Sequence, residues 1–449
     1  TGDIIEQDLF KIDSYISSQD LLLKCAAEAL NGFYRLVSSI RDDSILFYPQ
    51  DFSNRTFYQL TDIIPHVGYI DFRQTIDKID ALLRSTQLDV NRFYSAMIYY
   101  DSRSFIVKEA QAEKDEHDYL CGTIISVTGK LRVACEDGFI IIHSLLDINN
   151  IHKLIVDESI ADCFLVNKKL HLPSNLLLDC TKDFISEFKQ YEGYWSKKIN
   201  SFRGLGSEFG VILNKTRKKE VFNIEYEEDI DKTMALALLL IIFSGFFSSD
   251  SVGLGVIFDT SESAFSASKE LIASFMPFEM DTLASQTFDD FYNNMKSEFD
   301  FNYSRFPFLK DLYTRFNLYE EYKAISKVLI ILDENIQPDA NHYPDSEIIF
   351  YFSSLSREFT YVGPGILLDK SLVHSVASAF NHLLNNQSII KHQKLNEINL
   401  VDSESYQTIV YDWNKTDAPY PKDKTIHQLL EEQVERTPYN IALVFENEQ

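Results

Sequence analysis

Between Met234 and Phe247 the chain carries an almost unbroken apolar run, MALALLLIIFSGFF, with Asp231 and Lys232 directly before it. The run falls short of the ~20 residues that a helix needs to cross a bilayer. It therefore predicts a helix buried on every face within a folded core. Such a helix needs a shell of other elements, and the sequence supplies one. Of 449 residues, 45 % are apolar and 13 % aromatic, material for two packed lobes of roughly 180–220 residues each. Gly and Pro are scarce, and no low-complexity tract or short-period repeat interrupts the pattern.

The formal charge of -26 argues against nucleic acid and against an anionic membrane surface, both of which call for a basic stripe. The densest basic cluster is Lys215, Arg217, Lys218 and Lys219; Thr216 interrupts it and Glu220 follows. It reads as a solvated face. The five cysteines are odd in number, irregularly spaced and without a CxxC. Reduced thiols fit better than a disulfide framework or a zinc site, and with no leader pattern at the start the expected location is the cytoplasm.

Periodicity predicts strands over 8–16, 93–100, 119–127, 130–135 and 139–143, the last two flanking a Glu136-Asp137-Gly138 turn. Helices are expected over 18–39, with Ser18 as N-cap and Leu22, Ala26, Ala29, Phe33 and Val37 as a buried face, and over 76–85, 150–166 and 184–202. The second half repeats the mixture. Helices are expected at 230–247, 287–299, 309–316 and 370–385, and strands at 253–258, 327–332, 347–352 and 358–361. After Leu400 the chain turns polar through Pro419 and Pro421. A short helix over 425–436 follows, with Thr425 and Gln428 at capping-box spacing, and then a lone strand over 441–445.

The tail reads Tyr411-Asp412-Trp413-Asn414-Lys415-Thr416, then Thr425-Ile426-His427-Gln428-Leu429-Leu430 and on to Arg436-Thr437-Pro438. It closely resembles the condensation-to-adenylation linker of nonribosomal peptide synthetases. In that register the strand Phe139-Ile140-Ile141-Ile142-His143 and the following Ser144-Leu145-Leu146-Asp147-Ile148 resemble the condensation motif His-His-x-x-x-Asp-Gly, set before a helix. Asp250 to Phe258, Thr287 to Tyr292 and Phe306-Pro307-Phe308 resemble landmarks of the second lobe. The resemblance implies an α/β fold of two chloramphenicol-acetyltransferase-like lobes in a V-shaped pseudo-dimer with a tunnel between them. The lobes would be residues 1–180 and 181–400, with 401–449 as the linker and the start of an adenylation domain.

The same resemblance gives His143 and Asp147 as the candidate catalytic residues. His143 would accept a proton from, or stabilise charge on, an amine attacking a thioester. Asp147 would organise the loop through an Arg. Three departures stand against this. The first His is Ile142, the closing Gly is Ile148, and Asp259, Thr260 and Ser261 stand where the Arg is expected. Without that Arg, a buried Asp147 needs other donors or a raised pKa. A β-branched residue also fits poorly where a Gly lets substrate approach the backbone. His152 is a candidate for the tunnel wall; His66 and His117 fall in polar loops, and His374 and His382 share a helix. No HExxH, phosphate loop or GxSxG occurs, and Gly253-Leu254-Gly255 lacks the rest of a dinucleotide fingerprint.

Two functions follow. One is a non-catalytic condensation fold that binds a carrier protein or a trans-acting tailoring enzyme. The other is an active acyltransferase using His143 to form an amide bond between carrier-bound donor acyl and acceptor aminoacyl groups. The expected partners are carrier protein domains and the adjacent adenylation domain. No cofactor is expected on the domain itself, and the substrates would ride on the phosphopantetheine of carrier proteins. An open route to His143 favours chemistry; one plugged by Ile142 or Ile148 favours binding.

Overall fold

The structure, a computed structural model, describes residues 2–441 except 14, 54, 58–61, 87–94, 206–216, 224–230, 258–264, 333–335, 337–342, 344–345, 354–356 and 365–369. The chain divides into two compact units, Thr1–Leu400 and Val401–Gln449. The first contains two α/β lobes, each built on a six-stranded sheet.

The first lobe begins with helices α1 (Ser18–Arg41) and α2 (Ile76–Ser85). Strands β1 (Met97–Tyr100), β2 (Arg103–Lys114), β3 (Ile124–Ser126), β4 (Leu131–Ala134), β5 (Gly138–Asp147) and β6 (Asn150–Val156) make one antiparallel sheet. β1 and β2 meet in a tight turn at Asp101 and Ser102, both at positive φ, the geometry a two-residue hairpin requires. β5 is the central strand. It pairs with β2 along one edge; along the other, β4 pairs with residues 139–142 and β6 with residues 144–147. The turn expected at Glu136-Asp137-Gly138 is present and also caps a helix, because Asp137 Oδ1 accepts the Ile76 N–H at the start of α2 (2.7 Å). A Cβ on Gly138 would lie 2.4 Å from the Glu113 carbonyl oxygen, so only glycine lets β5 start this close to β2. Short α3 (Glu158–Cys163) follows β6. Then α4 (Asn175–Phe188) and α5 (Glu192–Asn200) lead toward the second lobe.

Several expectations for this lobe are corrected. Residues 150–166 are a strand and one short helix rather than a single helix. Ile151, Leu154 and Ile155 satisfy a helical period, but the open edge of β5 offers ladder partners to the same segment. No strand forms over the described part of 8–16; only Ile4 bridges Tyr48. The N-cap of α1 is Ser17, whose Oγ accepts the Asp20 N–H (3.1 Å), not Ser18. Its apolar stripe is exposed, with Leu22, Phe33 and Val37 open to solvent and only Gly32 buried. The strand expected over 119–127 shrinks to β3, and the helix over 184–202 is broken between α4 and α5.

The second lobe holds β7 (Arg217–Asn223), α6 (Lys232–Phe247), β8 (Ser251–Ile257), β9 (Phe275–Asp281) and α7 (Phe288–Tyr303). It continues with α8 (Leu312–Arg315), α9 (Tyr319–Lys327), β10 (Val328–Ile331), β11 (Ile348–Ser353), β12 (Glu358–Pro364), α10 (Lys370–Asn385) and α11 (Gln387–Ile390). The sheet order is β7-β12-β11-β10-β8-β9. β10 runs parallel to β8 and β11, and the other pairs are antiparallel. The apolar run is α6. Asp231 caps it by accepting the Met234 N–H (2.7 Å), Ser248 ends it in a left-handed conformation, and every residue from Ala235 to Phe243 is buried. It packs on α7, α10 and β8. Burying its Leu, Ile and Phe side chains stabilises the lobe by on the order of 10–20 kcal/mol before chain entropy is counted.

Among the described residues the lobes meet through an apolar cluster, and Ile151 of β6 joins the core of the second lobe. Tyr69, Leu146 and Ile148 of the first pack with α4 residues such as Phe184 and with Leu271 and Leu309 of the second. Two buried polar links accompany it. Asp311 Oδ2 accepts the Ser95 N–H (3.3 Å), and the Thr181 and Ser268 hydroxyls lie 2.7 Å apart.

The unit Val401–Gln449 contains α12 (Ser403–Gln407) and α13 (Ile426–Arg436), with no residue of either buried. The expected capping interaction is present: Gln428 Oε1 accepts the Thr425 N–H (2.9 Å). Of the strand expected over 441–445, residues 442–445 lie outside the described residues. Among the described residues no helix is long and apolar enough to cross a membrane.

Candidate functional site

Both candidate residues lie on β5. His143 is half-buried at the point where β5 exchanges β4 for β6 and where its register with β2 shifts. Such a bulge bends a strand and leaves a residue out of the ladder. No hydrogen bond to the His143 ring is present among the described residues. Asp147 is the last residue of β5. Four residues along a strand span roughly 13 Å, so the backbone holds His143 and Asp147 apart rather than bringing them to one point.

Asp147 has donors from within its own lobe. Arg103, at the start of β2, donates Nη2–H to Asp147 Oδ2, and the Asn149 N–H donates to Oδ1 (3.0 Å). The Arg103 guanidinium also sits over the Phe105 ring, 5.0 Å from its centroid, and Phe105 is the cross-strand partner of Asp147. Arg103 thus supplies the partner that the stretch after β8 lacks; residues 259–261 lie outside the described residues. Sequence reasoning missed Arg103. The available signal was Asp101-Ser102 between two strand-like runs, a hairpin turn that aligns β2 against β5.

Beyond Asp147 the chain turns sharply. Ile148 is 2 % exposed and belongs to the apolar cluster between the lobes; Ile142 is fully buried in the core of the first lobe. Next to Ile148, Asn149 Oδ1 accepts a hydrogen bond from Lys310 Nζ (3.1 Å) across the seam. Burial pushes the Lys310 ammonium down to about 8, against the pull of the Glu270 and Asp147 carboxylates. Glu270 is raised, chiefly by burial, with Lys310 opposing. Lys310, Asn149 and Ile148 line a cavity of about 330 Å³ that continues into the second lobe past Phe275, Tyr313 and Tyr322. His143 is not among its walls. Neither Lys310 nor Tyr313 was singled out by the sequence, because each reads there as an ordinary residue of a helical stretch.

Three other histidines make local contacts. His117 Nε2 lies 2.9 Å from the Gly138 carbonyl oxygen with its ring against Phe139, His66 lies 3.8 Å from Asp71, and His374 meets Phe222 edge-on. His152 is on β6, and its side chain lies outside the described residues. Among the described residues no group of three His, Cys, Asp or Glu could hold a metal ion.

A family model described as "Formyl transferase, C-terminal domain" matches residues 62–151. Among curated proteins, gramicidin S synthase 2 of Brevibacillus brevis is 38 % identical over 102 residues, covering 23 % of this chain and 2 % of that protein. Bacitracin synthase 3 of Bacillus licheniformis is 36 % identical over 85 residues, covering 19 % of this chain and 1 % of that protein. The chain thus spans only about a fiftieth or less of the length of these relatives. Among solved structures, the X-domain with OxyB from teicoplanin biosynthesis gives a TM-score of 0.37 at 10 % identity, covering 60 % of this chain and 72 % of that one. The starter condensation domain of the rhizomide synthetase gives 0.35 at 10 %, covering 50 % and 57 %. Segments making up 19–23 % of this chain are thus similar to peptide synthetases.

Proposed function

We propose that this chain is a condensation-type domain that serves as a binding module without chemistry of its own, and that it docks a carrier protein or a trans-acting tailoring enzyme. The observation that carries the reading is Ile148. It stands in place of the motif glycine, is 2 % exposed, and packs with Leu271 and Leu309 at the seam. A residual void beside it measures only about 10 Å³, less than one water molecule needs. On that side of Ile148, toward Leu271 and Leu309, a pantetheine-borne thioester has no room; the opposite side of Ile148 faces the larger cavity, which does not reach His143. The imidazole of His143 supports the same reading, since it sits within a strand, away from the cavity and roughly 13 Å along the backbone from Asp147. Acyl transfer on this fold depends on holding two substrates beside one oriented base.

The test is product titre from the intact synthetase carrying His143→Ala, beside a synthetase lacking the whole domain. We expect the deletion to stop or alter the product and the point variant to leave it unchanged. A loss of product by orders of magnitude in a folded His143→Ala protein would overturn the proposal in favour of an acyltransferase with an atypical motif.

A further inference from the structure

The cavity at the seam holds two groups that the reading above does not use. Lys310 and Tyr313 lie on one turn, with the Tyr313 N–H donating to the Lys310 carbonyl (3.2 Å), and both side chains line the cavity. Tyr313 is 1 % exposed, and its hydroxyl has no hydrogen-bond partner among the described residues. Burial pushes its pKa well above the ordinary tyrosine value, so the hydroxyl is a neutral donor throughout the physiological range. A buried donor left without an acceptor costs about 1–3 kcal/mol, and such groups in folded proteins call for an explanation. Lys310 has three N–H donors; Asn149 Oδ1 takes one.

We infer that this cavity is a binding site for a small monocarboxylate with an apolar body, its carboxylate received by Lys310 Nζ and the Tyr313 hydroxyl. Two donors carried on one turn that lines the cavity, one of them cationic and poorly solvated, match the acceptor-only chemistry of a carboxylate. The rest of the wall fits the body of such an acid: Ile148 and Ile151 from the first lobe, Phe275 and Tyr322 from the second. With water filling ~30 Å³ per molecule, the cavity has room for on the order of ten non-hydrogen atoms. Glu270 and Asp147 lie close enough to act on Lys310, so a dianion such as phosphate meets about twice the repulsion of a single charge. The site stands whether or not the domain retains chemistry, because neither His143 nor a tethered substrate takes part in it.

The probe is phenylacetate, titrated calorimetrically into the 449-residue chain at pH 7, with the uncharged isostere phenylacetamide beside it. Ten good contacts of this kind give a Kd of about 1 mM or tighter, and we expect the amide to bind at least ~10-fold more weakly. Tyr313→Phe keeps the ring and removes only the donor; it should weaken the acid about 5–20-fold while raising the melting temperature of the free protein. Lys310→Met should abolish binding in a protein that remains folded. No heat at 10-fold above that Kd would mean that the cavity holds only water and would overturn the inference. So would equal affinity for acid and amide, or wild-type affinity in either variant.

Discussion

Lys310→Met is expected to stabilise the protein at neutral pH. The ammonium is held at about 8 against 10.5 for an unburied lysine, so the folded state disfavours the charged form by about 3 kcal/mol at most, at 1.36 kcal/mol per unit. Lys310 keeps partial exposure, and removing it raises the cost of an ionised Glu270; a net gain of about 1–3 kcal/mol is the expectation. Methionine retains the length and flexibility of the aliphatic stem. The sign with pH follows from proton counting. Between about 8 and 10.5 the unfolded lysine binds more protons than the folded one, so wild-type stability from this group rises with pH across that window. The advantage of the variant should be full below pH 8 and vanish above 10.5. Urea unfolding of both proteins at pH 7 and pH 10 reads this directly. A variant less stable than wild type at pH 7, or a difference that does not shrink at pH 10, would refute the reasoning.

Two further outcomes are expected. Arg315 donates Nη2–H to Glu192 (2.6 Å) and Asp311 (3.0 Å), with all three side chains buried. Arg315→Met removes the guanidinium from both buried carboxylates and should cost about 3–5 kcal/mol in urea unfolding; a loss below ~1 kcal/mol would contradict the pairing. Truncation after Leu400 removes a unit whose helices bury nothing, and should leave the melting temperature of the remainder within about 2 °C and any partner binding intact.

How much of this was readable in advance depended on how local the determining interaction is. α6 was legible because fourteen successive positions with almost no polar group admit burial and little else. The Thr425–Gln428 cap and the Glu136-Asp137-Gly138 turn were legible because their partners lie within four residues. The fate of 150–166 was not, since Ile151, Leu154 and Ile155 fit either period and only the free edge of β5 decides between them. The exposed stripe of α1 shows the converse: an amphipathic pattern says that a face is apolar, not that anything covers it. At the site, a His and an Asp four apart suggest a pair only if the backbone coils. On β5 they separate, and Asp147 takes its partner from Arg103, forty-four positions earlier, through a strand register that no local pattern encodes.

The exchange of neighbours along β5 has a kinetic consequence. β4 and the first half of β5 form one short-range hairpin, and the second half of β5 and β6 form another; both close loops of a few residues, whereas β2 must be brought from much farther along the chain. Short loops close first. β5 is therefore set to assemble from its two ends, with His143 as the meeting point of two independently zippering hairpins. A substitution there would show little in the native ladder, where the residue already stands out of register, and more in the rate at which the two halves come into line to receive β2.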